Sequence, residues 1–427
     1  MTHALSFRPL LAGLSLTLAL GACQSDQKPE TAATGNPATA GGMLSAGTWR
    51  GVLSAQGQEI PFLFDVTEEN GKPTVTLRNG EERLKLDEIS TAGDSTTIRL
   101  GVFDAALVVR ADGADKLKGA WVKYDGKEPY RVAFAATKGK QQLFPVTSSP
   151  LQSFDGTWKV TFKGADGETY PAVGIFKQSG NEVTGTFLTS TGDYRYLAGQ
   201  TDGGKLMVST FDGSHGFLFK ATQTTPNALS GDFYSGKKGH ETWTAVLDPK
   251  AKLPDANTLT GMKPGQKKLD FKFPNIYEGG SISPSDPKYQ GKVVVIQILG
   301  SWCPNCMDET NFLAPWYAKN KSRGVEVIGL GYERTTDQKL AAQKLLRMKE
   351  RLNVGYDLAV AGVADKDAAA KSLPQLQSVL AFPTTIFLDK KGEVRKIHTG
   401  FSGPGTGKYY AAEIADFNKT VDMLLKE

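Results

Sequence analysis

Two of the three cysteines in this 427-residue chain stand two residues apart, in the stretch GSWCPNCMDE at positions 300–309. A C-x-x-C pair admits three chemistries: part of a zinc clasp, a buried structural pair, or a dithiol that exchanges with disulfides. Zinc requires four ligands, or three and a water. Besides Cys303 and Cys306, the chain downstream of its N-terminal segment offers only His215, His240 and His398 as soft partners, and two of these belong to a different part of the sequence. The zinc reading is therefore poorly supplied with ligands.

The third cysteine closes the opening segment MTHALSFRPLLAGLSLTLALGAC. Arg8 in a short n-region, an apolar stretch from Leu10 to Leu20, and small residues up to Cys23 make an export-signal arrangement. The apolar stretch is too short to span a bilayer, which needs about 20 helical residues. Leu20-Gly21-Ala22-Cys23 resembles the lipobox of bacterial lipoprotein precursors, which implies a signal peptide over residues 1–22 and a lipidated Cys23. A triacylated cysteine exceeds the two-anchor threshold for stable membrane attachment. The alternative is an ordinary signal peptide cut after Ala22. Gln24 beside the lipidated cysteine favours the outer over the inner membrane under the enterobacterial sorting pattern. With Cys23 consumed by lipid, Cys303 and Cys306 are the remaining thiols, and no structural disulfide network is available.

The elements that must position the pair follow from the rest of the chain. At roughly 150 residues per domain, the length implies two or three domains. The 47 glycines point to many turns and much β structure. The net charge of +5 is small, and Lys and Arg are scattered among Asp and Glu, so nucleic-acid binding gains no support. Residues 23–45, rich in Ala, Thr, Gly and Pro without apolar periodicity, read as a flexible tether.

A pattern then occurs twice. GTWRG at 47–51 returns as GTWKV at 156–160, FDAALVVRA at 103–111 as FDGSHGFLFKA at 211–221, and LKGAWVKY at 117–124 as LSGDFYSG at 229–236. The near-constant offsets indicate an internal duplication. Alternating segments separated by turns such as ENGK and SGNE predict antiparallel β modules at 46–140 and 150–249, each a small barrel or a sandwich. FDGTWKV resembles the Gly-x-Trp opening strand of the lipocalin and fatty-acid-binding group; Trp49 and Trp158 are expected as equivalent core residues. A Pro- and Lys-containing linker occupies 250–261.

Beyond it the pattern changes. KVVVIQIL at 292–299 suits a central parallel strand, a helix-compatible segment follows the cysteines, and VEVIGLG at 325–331 is a second strand. Ala341, Leu345, Met348 and Leu352 share one helical face behind the cap candidates Thr336 and Asp337. TTIFLD and EVRKIHTG form a hairpin, and Ile414, Phe417, Val421 and Leu424 line a final helix. The expected order is βαβα followed by ββα.

This order, with C-x-x-C just after the first central strand, resembles the TlpA/ResA type of thioredoxin-like thiol-disulfide oxidoreductase over residues 262–427. KVVVIQILGSWCPNC matches the strand and WCxxC site, FPTTIFLDKKGEV the cis-proline strand and hairpin, and GFSGPGTG the approach to the last helix. The resemblance implies a multidomain chain of two duplicated all-β modules followed by an α/β thioredoxin-like domain. It also implies Cys303 as attacking thiol, Cys306 as resolving thiol, and a substrate platform of Trp302, Pro304, Phe382, Pro383 and Thr384. Physical chemistry agrees: a cysteine at a helix N-terminus has its thiolate favoured by unpaired N–H groups, Pro304 suits the first helical position, and Cys306 follows about one turn later. Gln297 stands where thioredoxins place a buried carboxylate; Asp308, Glu309 or water could substitute, although both acids are expected to project outward near the helix start. Pro315 is expected to kink the helix or end its first segment.

A peroxiredoxin-type peroxidase would need a different setting around its cysteine, and GPGTGK at 403–408 misses the P-loop spacing at Ser402 and Tyr409. The expected function is a membrane-anchored, periplasm-facing thiol-disulfide oxidoreductase reducing exported protein disulfides. Its redox group is the cysteine pair, with no other cofactor or metal, and it draws electrons from a membrane or periplasmic donor. The alternative is a lipid-anchored binding protein whose β modules hold a protein, lipid or glycan, using aromatics such as Tyr194, Tyr196 and Phe211, with the redox domain in an accessory role.

Overall fold

The computed structural model describes residues 44–126 and 128–427. Cys23, the segment read as a signal peptide and all of the segment read as a tether except Leu44 and Ser45 lie outside the described residues. Those two residues are not tether-like. Leu44 is buried in the first module's core, and Ser45 accepts a bond from Trp49 Nε1 at 3.0 Å, so the ordered module starts before residue 46.

The first module is a nine-stranded antiparallel sheet. Its strands are Gly47–Ala55, Gln58–Glu69, Lys72–Asn79, Glu82–Leu86, Ile89–Ala92, Ser95–Arg99, Ala105–Ala111, Lys116–Lys123 and Tyr130–Lys138. Gly47–Ala55 pairs with both Gln58–Glu69 and Tyr130–Lys138, while Glu82–Leu86 and Ile89–Ala92 stand at the two edges. The predicted turn ENGK is a two-residue hairpin in which Asn70 and Gly71 both take positive φ, the geometry whose twist matches the flanking strands.

The second module also has nine strands: Gly156–Lys163, Thr169–Ser179, Glu182–Thr189, Gly192–Asp193, Leu197–Asp202, Lys205–Phe211, Gly216–Thr225, Ala228–Ser235 and Gly239–Leu247. Here Thr169–Ser179 pairs with both Gly156–Lys163 and Glu182–Thr189, and the latter pairs in turn with Leu197–Asp202, so the sheet closes on itself. The interior is filled by Phe162, Phe176, Phe187, Phe219, Phe233 and Trp243, in ring contacts of 4.3–6.3 Å. Small closed barrels are packed by side chains in this way.

The duplication is visible atom by atom. Trp49 and Trp158 are both buried, and each indole donates to the carbonyl four residues upstream, Ser45 O at 3.0 Å and Phe154 O at 2.9 Å. Gly119 and Gly231 occupy matching strands. A Cβ on either would stand 2.0 Å from Val108 O or 1.9 Å from Lys220 O, which only glycine avoids.

The C-terminal region is a five-stranded sheet in the order Asp357–Val363, Val325–Glu333, Val293–Leu299, Thr384–Leu388, Val394–Thr399, in which the first three are parallel, Thr384–Leu388 runs antiparallel to Val293–Leu299, and Val394–Thr399 runs antiparallel to Thr384–Leu388. Helices α1 (Pro304–Asn320), α2 (Gln338–Arg351), α3 (Lys366–Ser372) and α4 (Lys408–Lys426) complete it. Asp337 caps α2 by accepting from the N–H groups of Lys339 and Leu340. The strand Asp357–Val363 and helix α3 are additional to the expected order: DLAVAGV is short and apolar without a diagnostic period, and only its pairing along Val325–Glu333 identifies it. Helix α1 neither ends nor restarts at Pro315 but continues to Asn320. Residues 250–261 are a packed segment rather than a free linker: Ala251 joins Val173 and Leu188 in a small core, and Asn257 bonds His398 at 2.9 Å. Among the described residues, no helix is long and apolar enough to cross a membrane.

Candidate active site

Val293–Leu299 is buried along its whole length, which fixes the point where the chain emerges and turns into α1. Cys303 is the N-cap of that helix and Pro304 its first residue. The Cys306 backbone N–H donates to Cys303 Sγ at 3.2 Å, one of the unpaired amides that a helix start offers to a thiolate. Cys303 is 5% exposed and Cys306 is fully buried, both as free thiols.

Cys303 Sγ donates to the carbonyl of Phe382 at 3.3 Å, and the Phe382–Pro383 bond is cis. Thr384, buried at the start of the adjacent strand, donates to Ala381 O at 2.9 Å. Trp302 forms the side wall: its indole bonds Tyr332 O at 2.9 Å, meets Phe382 edge-on at 5.6 Å, and carries the Arg334 guanidinium 4.3 Å above its ring. All of the expected platform residues therefore gather around the Cys303 sulfur or the turn that holds it.

The acids behind the pair depart from expectation. Asp308 and Glu309 do not project outward; both are buried, because α1 is covered on one side by the sheet and on another by the second β module. Glu309 accepts from Gln297 Nε2 at 2.8 Å and from the Thr385 hydroxyl. Burial pushes its carboxyl up to about 7, against the pull of those two donors. Burial likewise holds the Cys306 thiol well above its ordinary value, reinforced by the hydrogen bond and charge of Cys303 and by the charge of Glu309. The helix thus places a titratable carboxyl against Gln297. A polar residue in the middle of an apolar strand was the available signal, since a fully buried amide demands partners. Glu333, bonded to the N–H and hydroxyl of Ser301 at 2.8 Å, is another buried acid raised by desolvation, to about 7.

The second β module reaches the same turn. Arg195 Nη1 donates to Pro304 O at 3.0 Å and pairs with Asp308, Asn305 Nδ2 donates to Asp193 O at 3.2 Å, and Ser214 Oγ donates to Trp302 O at 3.0 Å. Sequence reasoning missed these residues, which lie about a hundred positions upstream without a motif. The aromatics proposed for a binding surface are placed otherwise. Phe211 is buried in the first module's core, Tyr194 packs among the rings inside the second, and only Tyr196 borders a groove, against residues 404–409. The three histidines are engaged separately, with Asp212, Asp232 and Glu413.

Comparison with known proteins agrees with this geometry. Residues 263–414 match the Redoxin family. Thiol-disulfide oxidoreductase ResA of Halalkalibacterium halodurans is 27% identical over 136 residues, 32% of this chain and 68% of that protein. ResA of Geobacillus kaustophilus is 30% identical over 112 residues, 26% of this chain and 57% of that protein. A thiol:disulfide interchange protein DsbE structure from Chlorobium tepidum aligns with 22% identity and a TM-score of 0.28, covering 36% of this chain and 98% of that one. The chain thus spans roughly three-fifths to two-thirds of the two ResA proteins. With its C-x-x-C at the head of α1 and its mixed five-stranded sheet, the C-terminal region is a redoxin domain similar to that of the ResA thiol-disulfide oxidoreductases.

Proposed function

We propose that the protein is a lipid-anchored, extracytoplasmic thiol-disulfide oxidoreductase that reduces disulfides of exported proteins. The observation that carries this reading is the Cys303–Cys306 pair at the start of α1, with Cys303 5% exposed at the N-cap and Cys306 fully buried behind it. The Cys303 thiolate attacks a substrate disulfide, forming a mixed disulfide and releasing one substrate sulfur as thiolate. Cys306 then gives up its proton, for which Glu309 is the nearby titratable acceptor. Its sulfur attacks that of Cys303, breaking the mixed disulfide. The substrate leaves with both sulfurs reduced, and two electrons have passed from the dithiol. An electron-donating partner must restore the pair.

Lipidation of Cys23 and export rest on the N-terminal sequence, and the outer membrane is favoured by Gln24. The two β modules would then hold the redox domain away from the lipid surface. Cys306→Ser should trap mixed disulfides with exported proteins, seen as thiol-sensitive bands on non-reducing gels of cell extracts; their absence would remove the resolving role. The direction of transfer is tested by the reduction potential. A value near about −270 mV supports a reductase, whereas one near about −120 mV makes the pair a disulfide donor.

A further inference from the structure

Arg195 stands in the turn between Gly192–Asp193 and Leu197–Asp202 of the second β module, in the left-handed region at φ 56. A side chain there is uncommon for arginine and must be held. Its own N–H is taken by Asp193 Oδ1 at 2.5 Å, and the other oxygen of Asp193 accepts from Gly403 N at 2.6 Å in the redox domain. The guanidinium is buried. It donates to Pro304 O between the two cysteines, pairs with Asp308 two residues beyond Cys306, pairs with Glu82 of the first module, and lies 4.0 Å from Asp212. His215 in turn contacts Asp212 at 3.3 Å. One cation therefore faces three acids from three parts of the chain, directly beneath the turn that carries the dithiol.

We propose that Arg195 is a positioning residue of the dithiol centre, contributed by the β module: it fixes the first turn of α1 through the Pro304 carbonyl and offsets the negative charge of Asp308, five residues along the chain from the Cys303 thiolate. This rests on the dithiol-exchange reading above. The contact is built to hold orientation as well as charge, because the fork of a guanidinium serves a carbonyl and a carboxylate together. Residues 302, 304, 305 and 308 are all held by the second module, so the cysteine turn is fixed by a region outside the redoxin domain.

The test uses the purified full-length protein and follows alkylation of Cys303 by iodoacetamide at pH 8, where Asp308, pushed by burial to about 7, is ionised. Rapid alkylation of the parent establishes the reactive thiolate; a parent that does not react overturns the dithiol reading itself. Given that reaction, Arg195→Gln should slow alkylation roughly three- to tenfold, because removing the cation disfavours the anion, and should move the couple to a more negative potential; tenfold corresponds to about 30 mV. Arg195→Lys should recover part of the rate. Asp308→Asn should act in the opposite direction, accelerating alkylation and raising the potential. Its arm stands even if Arg195→Gln does not fold. Rates unchanged in both variants, or slowed in both as expected of a merely structural ion pair, overturn the proposal.

Discussion

In the second β module the fourth strand, Gly192–Asp193, has two residues; its counterpart in the first, Glu82–Leu86, has five. The longer strand occupies the free side of Lys72–Asn79, and the first sheet stays open between Glu82–Leu86 and Ile89–Ala92. The shorter one leaves Glu182–Gly185 available to Leu197–Gln200, and the second sheet closes. The open copy is completed from outside: Phe211 and Leu218 of the second module enter its core, with Phe211 4.5 Å from Phe62 and 5.3 Å from Trp121. The same shortening frees residues 194–196 as the turn that carries Arg195 to the dithiol. Two copies of one pattern thus diverge at one strand, and that divergence decides which copy carries the arginine that bonds the cysteine turn.

The largest expected effect comes from the paired tryptophans. Trp49→Ala and Trp158→Ala should each cost about 3–5 kcal/mol in urea unfolding, as buried tryptophan truncations do. Trp158→Ala should slow Cys303 alkylation more than Trp49→Ala, since its module bonds residues 302, 304, 305 and 308 of the cysteine turn directly. Equal slowing by both would erase the functional difference between the copies.

A second contrast is in pH dependence. Burial raises the Asp193 carboxyl to about 6, against bonds from the Gly403 and Arg195 amides. Its folded value lies above its unfolded one, so its contribution is most favourable below about pH 4 and falls as pH rises towards 6, by about 2–3 kcal/mol. Asp193→Asn should remove that part of the slope in unfolding measured from pH 4 to 7. An unchanged slope would mean that other carboxyls, such as Glu309 and Glu333, account for all of it.

The smallest effect belongs to the first module's contact with the redoxin domain. Glu88 pairs with Arg347 at 2.8 Å and with Arg351, and Arg351 reaches Asp87 at 2.9 Å. These groups are partly exposed, so Glu88→Ala should cost no more than about 1 kcal/mol and leave alkylation unchanged. A loss as large as that of a core truncation would make this contact, rather than the Arg195 turn, the main attachment.

Much of this was legible in the chain. The duplication, the meander character of both modules and the thioredoxin-like order are written in hydrophobic period, turn residues and the WCxxC stretch, all of which are local signals. The strand Asp357–Val363 was not, because an apolar run of that length has no diagnostic period. The burial of Asp308 and Glu309 was not either, since acids early in a helix ordinarily face water and only a partner placed over that face reverses this.

The sequence by itself determined the chemistry: a pair of thiols one helical turn apart, a proline strand to face them, and no other cysteine beyond Cys23. Which carboxyl stands beside Cys306, which β module closes, and which arginine holds the cysteine turn were decided only by tertiary structure. The physical reason is distance along the chain. Helix starts and strand periods depend on neighbours a few residues away, whereas Arg195 meets Pro304 and Asp308 through contacts spanning 109 and 113 residues, for which no local pattern exists.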